Sequence, residues 1–311
     1  MTNDSTLSIE GLLLPGLDGS NPLGFLAALG TLRLLNSSAR IKWIRNFGTW
    51  LPVVSFSDGQ PIEEHSFLDA LHARLVDDIS KHPASMLRLF RNDSVNARRE
   101  VFIEHCQKAT YVDRLLVDWL CALASEVAAV DAINQLQTTR RDYFLGNLTA
   151  IMKRTTRDHL RRSIFSRWDY ADSLENQSLH LDPSEDRRHA HQWNKPSGDP
   201  NRKKSGGMLG ANRLAIEAIP LFPSMPEDDA LHTVGFTGNR STNTRWTWPI
   251  WSVPVSLQVV RSLLAIPMLQ IEKLSPRQKD NLHDSGIVTA FRTNRILVEK
   301  TPNFTPARRI A

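Results

Sequence analysis

With 311 residues, 41% hydrophobic and 23% charged, the chain can bury a substantial core and has the composition of an ordinary globular protein. A peptide hormone and a coiled coil are excluded. The formal charge of +5 is modest for this length, so any preference for an anionic partner must come from where the charges cluster.

In chain order, residues 7 to 14 (LSIEGLLL) read as a strand that Pro15 and Gly16 end. Asp18 to Asn21 form a turn, and Pro22 suits the first turn of a helix continuing as LGFLAALGTLRLL. That helix is apolar nearly all round and should be buried. Ile41 to Ile44 and Leu51 to Phe56 read as short strands, completing a β-α-β-β unit over residues 1–60. Residues 61–166 form a helical region in which helix-period patterning dominates from about Ser66, with an apolar stripe of Leu145, Leu148, Ile151 and Met152.

The remainder, 167–311, is a mixed α/β region. It opens on a long irregular stretch, 166 to 210, rich in Asp, Ser, Asn, Gly and Pro, the kind of segment that is usually functional or disordered. A short helix, ANRLAIEAI, ends before Pro220. LHTVGFTG and TRWTWPIW read as paired strands joined around Asn239 and Arg240, and Pro249 predicts that the second is an edge strand or is interrupted. VSLQVVRSLLAI is a helix and GIVTAFRTNRILVE a last strand or hairpin. The fold class predicted is α+β.

Between Arg140 and Arg167 there are eight Lys or Arg against Asp142 and Asp158. This patch includes Lys153, Arg154, Arg157, Arg161 and Arg162, and its local density suits a polyanion, although a solvated helix face has the same look. A second cluster, Arg202, Lys203 and Lys204, precedes Gly206, Gly207 and Gly210, which open a helix. Glycines let backbone amides approach a phosphate, and a helix N-terminus directs N–H groups and a positive dipole at it. The alternative is a flexible loop with a helix cap. Neither a Walker ending nor a dinucleotide fingerprint is present, so no nucleotide or other cofactor is expected.

Arg187 and Arg188 suit phosphate contacts or pairing with Asp182 and Glu185. Asp182, Asp186, His189 and His191 could assemble a metal-dependent phosphodiesterase centre, but no further ligand falls at a characteristic spacing. Trp246, Trp248 and Trp251 lie beside Arg240 and Arg245; such tryptophans either fill a core or stack on bases. No G-x-S-x-G elbow occurs, and the pair His105 and Cys106 points apart on a helix. Cys106 and Cys121 lack metal-ligand spacing and read as buried thiols of a reducing compartment. Residues 1 to 10 carry no basic leader, and the apolar stretch from Ile250 to Ile271 is broken by Pro254, Gln258, Arg261 and Pro267. A soluble, cytoplasmic protein that does not enter membranes is expected.

Two blocks carry a family resemblance. PGLDGSNPLGFLAALGTLRLL resembles the opening of large-subunit-like proteins of type I-G (formerly I-U) CRISPR systems. WDYADSLENQSLHLDPSEDRRHAHQWNKPSGDP, followed by GGMLGANRLAIEAIPLFP, looks like a type I-G family described as an extension of the CRISPR helicase-nuclease. The resemblance implies a component of a guide-RNA surveillance complex, with guide RNA, target DNA and other complex subunits, the helicase-nuclease among them, as partners. It also implies a position near the protospacer-adjacent motif. The helicase and HD-nuclease motifs of the cleaving partner are absent from this sequence. The leading expectation is therefore a non-catalytic nucleic-acid-binding subunit, with a metal-dependent nuclease and a protein-interaction scaffold as the alternatives.

Overall fold

Asn21 ends the first turn and starts the first helix in the manner its residue type favours: its side chain accepts hydrogen bonds from the N–H groups of Leu23 and Gly24. Pro22 occupies the first helical position, where no N–H is needed. The structure, a computed structural model, describes residues 10–35, 37–77, 103–104, 107, 114–123, 134–139, 141–174, 177–185, 206–227, 230–238, 243–298 and 301–311. Helix α1, Pro22–Leu34, is buried from Pro22 to Leu32, as its continuous apolar character requires.

Beside α1 lies a three-stranded antiparallel sheet in the order β1-β3-β2, from β1 (Leu12–Leu13), β2 (Ala39–Asn46) and β3 (Thr49–Phe56). Both hairpin strands are longer than the apolar runs alone predict. Asn46 pairs with Thr49, leaving a two-residue turn in which Phe47 (φ +43°) and Gly48 (φ +90°) are both left-handed. That is the turn whose twist matches a two-residue hairpin, and Gly48 fits it at no cost. Of the predicted first strand, residues 7 to 9 lie outside the described residues.

The helical middle contributes α2 (Glu64–Val76), α3 (Arg114–Leu123), α4 (Arg141–Arg154) and α5 (Arg157–Phe165) among the described residues. The pattern from Tyr143 to Phe165 reads as one helix, but the chain breaks at Thr155 and Thr156. Thr156 instead caps α5 in a capping box with His159. Leu148, Ile151 and Met152 are buried as the stripe predicts. Cys121, on α3, is only half-buried, and Cys106 lies outside the described residues.

Helix α6, Leu209–Ala218, packs directly along α1. A Cβ at Gly30 would stand 1.8 Å from the Leu214 carbonyl oxygen, so the backbones touch where only glycine fits. One turn on, Arg33 bonds Glu217 at 3.0 Å, and Arg213 reaches the same carboxylate at 2.7 Å. These contacts fix α1 against the stretch of α6 from Leu214 to Ala218.

The second sheet has the order β10-β8-β7-β6, with β9 also on β8; its strands are β6 (Phe236–Thr237), β7 (Arg245–Trp251), β8 (Ile287–Val298), β9 (Thr301–Phe304) and β10 (Arg308–Arg309). The stretch LHTVGFTG is divided at Val234 and Gly235: β5 (Ala230–Thr233) pairs with β4 (Ser224–Glu227), and only β6 pairs with β7. β7 has β6 beside it only at Arg245 and Trp246; at Pro249 its strand neighbour among the described residues is β8 alone, the edge position that proline predicts. Helix α7 (Leu257–Leu264) follows as predicted, and α8 (Pro276–Asp284) leads into β8.

Trp43, Trp246, Trp248 and Trp251 surround Phe25 with ring centroids 5.7 to 6.4 Å away. The Trp248 indole donates to Gly19 and that of Trp251 to Ile41, tying the two sheets together. Apolar side chains from 1–60, 61–166 and 167–311 belong to one continuous core, represented by Leu29, Ile151 and Leu214. No helix among the described residues is long and apolar enough to cross a membrane.

Candidate nucleic-acid interface

Several cations of the helical patch already have partners within the fold. Arg157 binds Asp69 of α2 at 2.5 Å and thereby holds the Asp69 carboxyl below its ordinary value. Arg161 pairs with Asp158 one turn back, at 2.9 Å. Both pairs are solvent-exposed and weak, so a phosphate could displace the carboxylate. Arg162 is different: it spans Asp169 at 2.6 Å and Asp172 at 2.8 Å, and these carboxylates raise its pKa. Its planar fork is engaged by two acids of the same fold. Lys153 and Arg154, at the end of α4, are exposed.

Asp172 is the hub of the region. One carboxylate oxygen accepts from Arg162, and the other accepts from the Leu209 N–H at 2.7 Å, capping α6. Its backbone exchanges two hydrogen bonds with Gly207. A Cβ on Gly206 would lie 2.0 Å from the Tyr170 carbonyl oxygen, and one on Gly210 would lie 2.1 Å from that of His159. The Ala211 N–H is bonded to the Ser163 hydroxyl. The glycines therefore serve close packing of backbone on backbone. The phosphate cradle predicted at Gly206 and Gly207 is corrected accordingly, because the Leu209 and Ala211 amides at that helix start are engaged inside the protein.

A buried polar frame continues from this hub. Glu185 accepts from the Ser178 hydroxyl at 2.7 Å and lies 3.0 Å from His180 Nδ1. Asn212 of α6 accepts from the Leu179 N–H, while Asn147 and Thr138 donate to the carbonyls of Ser178 and Leu179. The Tyr170 hydroxyl donates to Asp182; burial first, and the Asp182 charge second, raise the tyrosine pKa. Tyr170 (φ +50°) and His180 (φ +55°) both hold left-handed backbone, which for such residues requires support from surrounding contacts.

Glu185 and Gly206 are thus firmly placed at the N-terminal end of α6. Between them the sequence carries Arg187, Arg188, Lys195, Arg202, Lys203 and Lys204 against Asp186 and Asp199. Arg187, Arg188, Arg202, Lys203 and Lys204 lie outside the described residues, as does Arg240. So do Asp186, His189 and His191 of the metal-site alternative. Asp182, its fourth member, accepts from Tyr170 and from the Ser184 N–H. Among the described residues no group of three or more His, Cys, Asp and Glu could hold a metal.

Arg245 pairs with Glu272 at 3.0 Å at the surface. Trp246, Trp248 and Trp251 are completely buried, so the base-stacking reading gives way to core packing. One aromatic that sequence reasoning passed over is placed for contact. Phe47, at the tip of the β2–β3 hairpin, is fully exposed. Asp172, Tyr170, Ser178, His180 and Asn212 were also overlooked, since no spacing links them. Asn-Phe-Gly-Thr between two strands was the signal that could have exposed Phe47.

No protein-family model matches the chain, and no curated protein matches it.

Proposed function

We propose that this chain is a nucleic-acid-binding, non-catalytic subunit of a type I CRISPR RNA-guided surveillance complex, working in the cytoplasm and holding guide RNA or target DNA by phosphate contacts. The observation that carries the binding reading is the cation density between Glu185 and Gly206: six Lys or Arg against two acids, bounded at both ends by a buried polar frame. Local charge density along the chain governs attraction to phosphates. Lys153 and Arg154 supply exposed cations on α4, and Arg157, Arg161 and Arg245 are exchangeable contributors. Arg162 supports the frame.

The CRISPR setting rests on the resemblance of the two sequence blocks. In that setting base pairing reads sequence, while the protein contacts backbone near the protospacer-adjacent motif, with the helicase-nuclease and other subunits as neighbours.

Binding of a fluorescein-labelled oligonucleotide, followed by anisotropy across a salt series, tests the reading. Removing one cation from a phosphate lowers the slope of log K against log salt by about 0.7 on a single strand and about 0.9 on a duplex. The triple variant Arg202→Glu, Lys203→Glu, Lys204→Glu should therefore reduce the slope by roughly two or more and weaken binding at moderate salt. Unchanged affinity and slope would overturn the role given to this segment.

A further inference from the structure

Phe47 is the most exposed large apolar side chain among the described residues, at 104% of its reference area, and it occupies a left-handed position that Asn or Gly would fill without strain. An unfavourable backbone position that presents an aromatic ring wholly to water contributes nothing to the core. It points to contact with a partner.

The surroundings specify that partner's chemistry. From Ala39 to Phe56 the hairpin carries Arg40, Lys42 and Arg45 and no acid. Arg45, next but one to Phe47, is exposed, as are Asn46, Gly48 and Thr49. A ring flanked by cations and polar groups fits a base with its phosphates better than an apolar protein surface or an acyl chain. Location gives a second, independent argument. The Trp50 carbonyl accepts from Gly19 at 2.7 Å, and Gly16 donates to Ile164 at 2.8 Å, so the tip stands at the N-terminal end of α1, beside the end of α5. The end of α5 also meets the start of α6, where the Ala211 N–H bonds the Ser163 hydroxyl.

We propose that the β2–β3 hairpin tip is a stacking element for unpaired bases, in which Phe47 lies against a base and Arg45 meets an adjoining phosphate. This rests on the nucleic-acid reading above and adds to it a ligand form, single-stranded DNA or RNA, and a site that the basic segment does not contain. At its base the hairpin is held by β1, which pairs with Val53 and Val54, and by Trp43 in the aromatic core.

The test measures full-length protein against single-stranded oligonucleotides, in ribose and deoxyribose versions, and against a duplex of the same length. Phe47→Ala should weaken single-strand binding about tenfold, the ordinary worth of one base stack, with duplex affinity within about twofold of wild type. Phe47→Trp should retain binding, and its solvent-exposed indole should be quenched on addition of the single strand. Equal single-strand affinity of wild type and Phe47→Ala overturns the proposal, as does an equal loss on single strand and duplex. Wild-type binding to duplex but not to single strands overturns the stacking role alone, whereas failure to bind either overturns the parent reading as well. If Phe47→Ala leaves nucleic-acid binding intact but abolishes self-association in sedimentation, the tip is a protein contact and the proposal falls.

Discussion

Replacing Gly30 by alanine adds one methyl group where two helices touch. The new Cβ would sit 1.8 Å from the Leu214 carbonyl oxygen, and contacts below 3.0 Å are essentially never observed, so α1 and α6 must separate by about 1.2 Å. A gap of that size forfeits a quarter to a half of the dispersion energy of the atom pairs facing it, and overpacking of this kind costs about 3 kcal/mol. Against this, alanine in place of glycine gains only about 1 kcal/mol of helix propensity. The net loss is therefore about 2 kcal/mol. Gly146 supplies the control: it is an exposed position on α4 with nothing within 4 Å of an added Cβ, so Gly146→Ala should stabilise by about 0.5–1 kcal/mol. Urea denaturation of the two variants should thus shift the midpoint in opposite directions at constant slope. A Gly30→Ala protein as stable as wild type would refute the close contact of α1 and α6.

Other consequences follow from the polar frame and the turn. The Arg162 hydrogen bonds hold the Asp169 carboxyl below its ordinary value of 3.8, so its contribution is present above about pH 4 and is lost as pH falls through the lower folded value. Asp169→Asn should cost no more than about 1 kcal/mol at neutral pH, because Asp169 is half-exposed, and the difference from wild type should vanish in acid denaturation below that range. Glu185→Gln keeps the shape but weakens the acceptor for Ser178 and His180; a loss of about 2 kcal/mol by urea denaturation is expected, and an unchanged midpoint would show that the frame does not depend on the charge. Phe47→Asn should relieve about 1 kcal/mol of left-handed strain and raise thermal stability while weakening single-strand binding; lower stability would mean that Phe47 packs against the fold.

The sequence alone determined those features whose cause is local. Continuous apolar character buried α1, Asn21 and Pro22 set its start, alternation gave the hairpin strands, and the segment from Arg202 to Lys204 is basic whatever surrounds it. Tertiary structure decided which groups meet. Arg162 reads as one cation among several until Asp169 and Asp172 fold back onto it, seven and ten residues away. Gly206 and Gly207 suggest an open anion site until Tyr170 and Asp172 occupy the space beside them. Trp246 and Trp248 suit stacking until the core closes over them, whereas the turn at Phe47 is legible in Asn-Phe-Gly-Thr and its full exposure only in the fold. Helical and strand periodicity is written in consecutive residues, so it can be read along the chain. Burial and charge pairing depend on atoms brought within a few ångströms by distant segments, so the site emerges only in three dimensions.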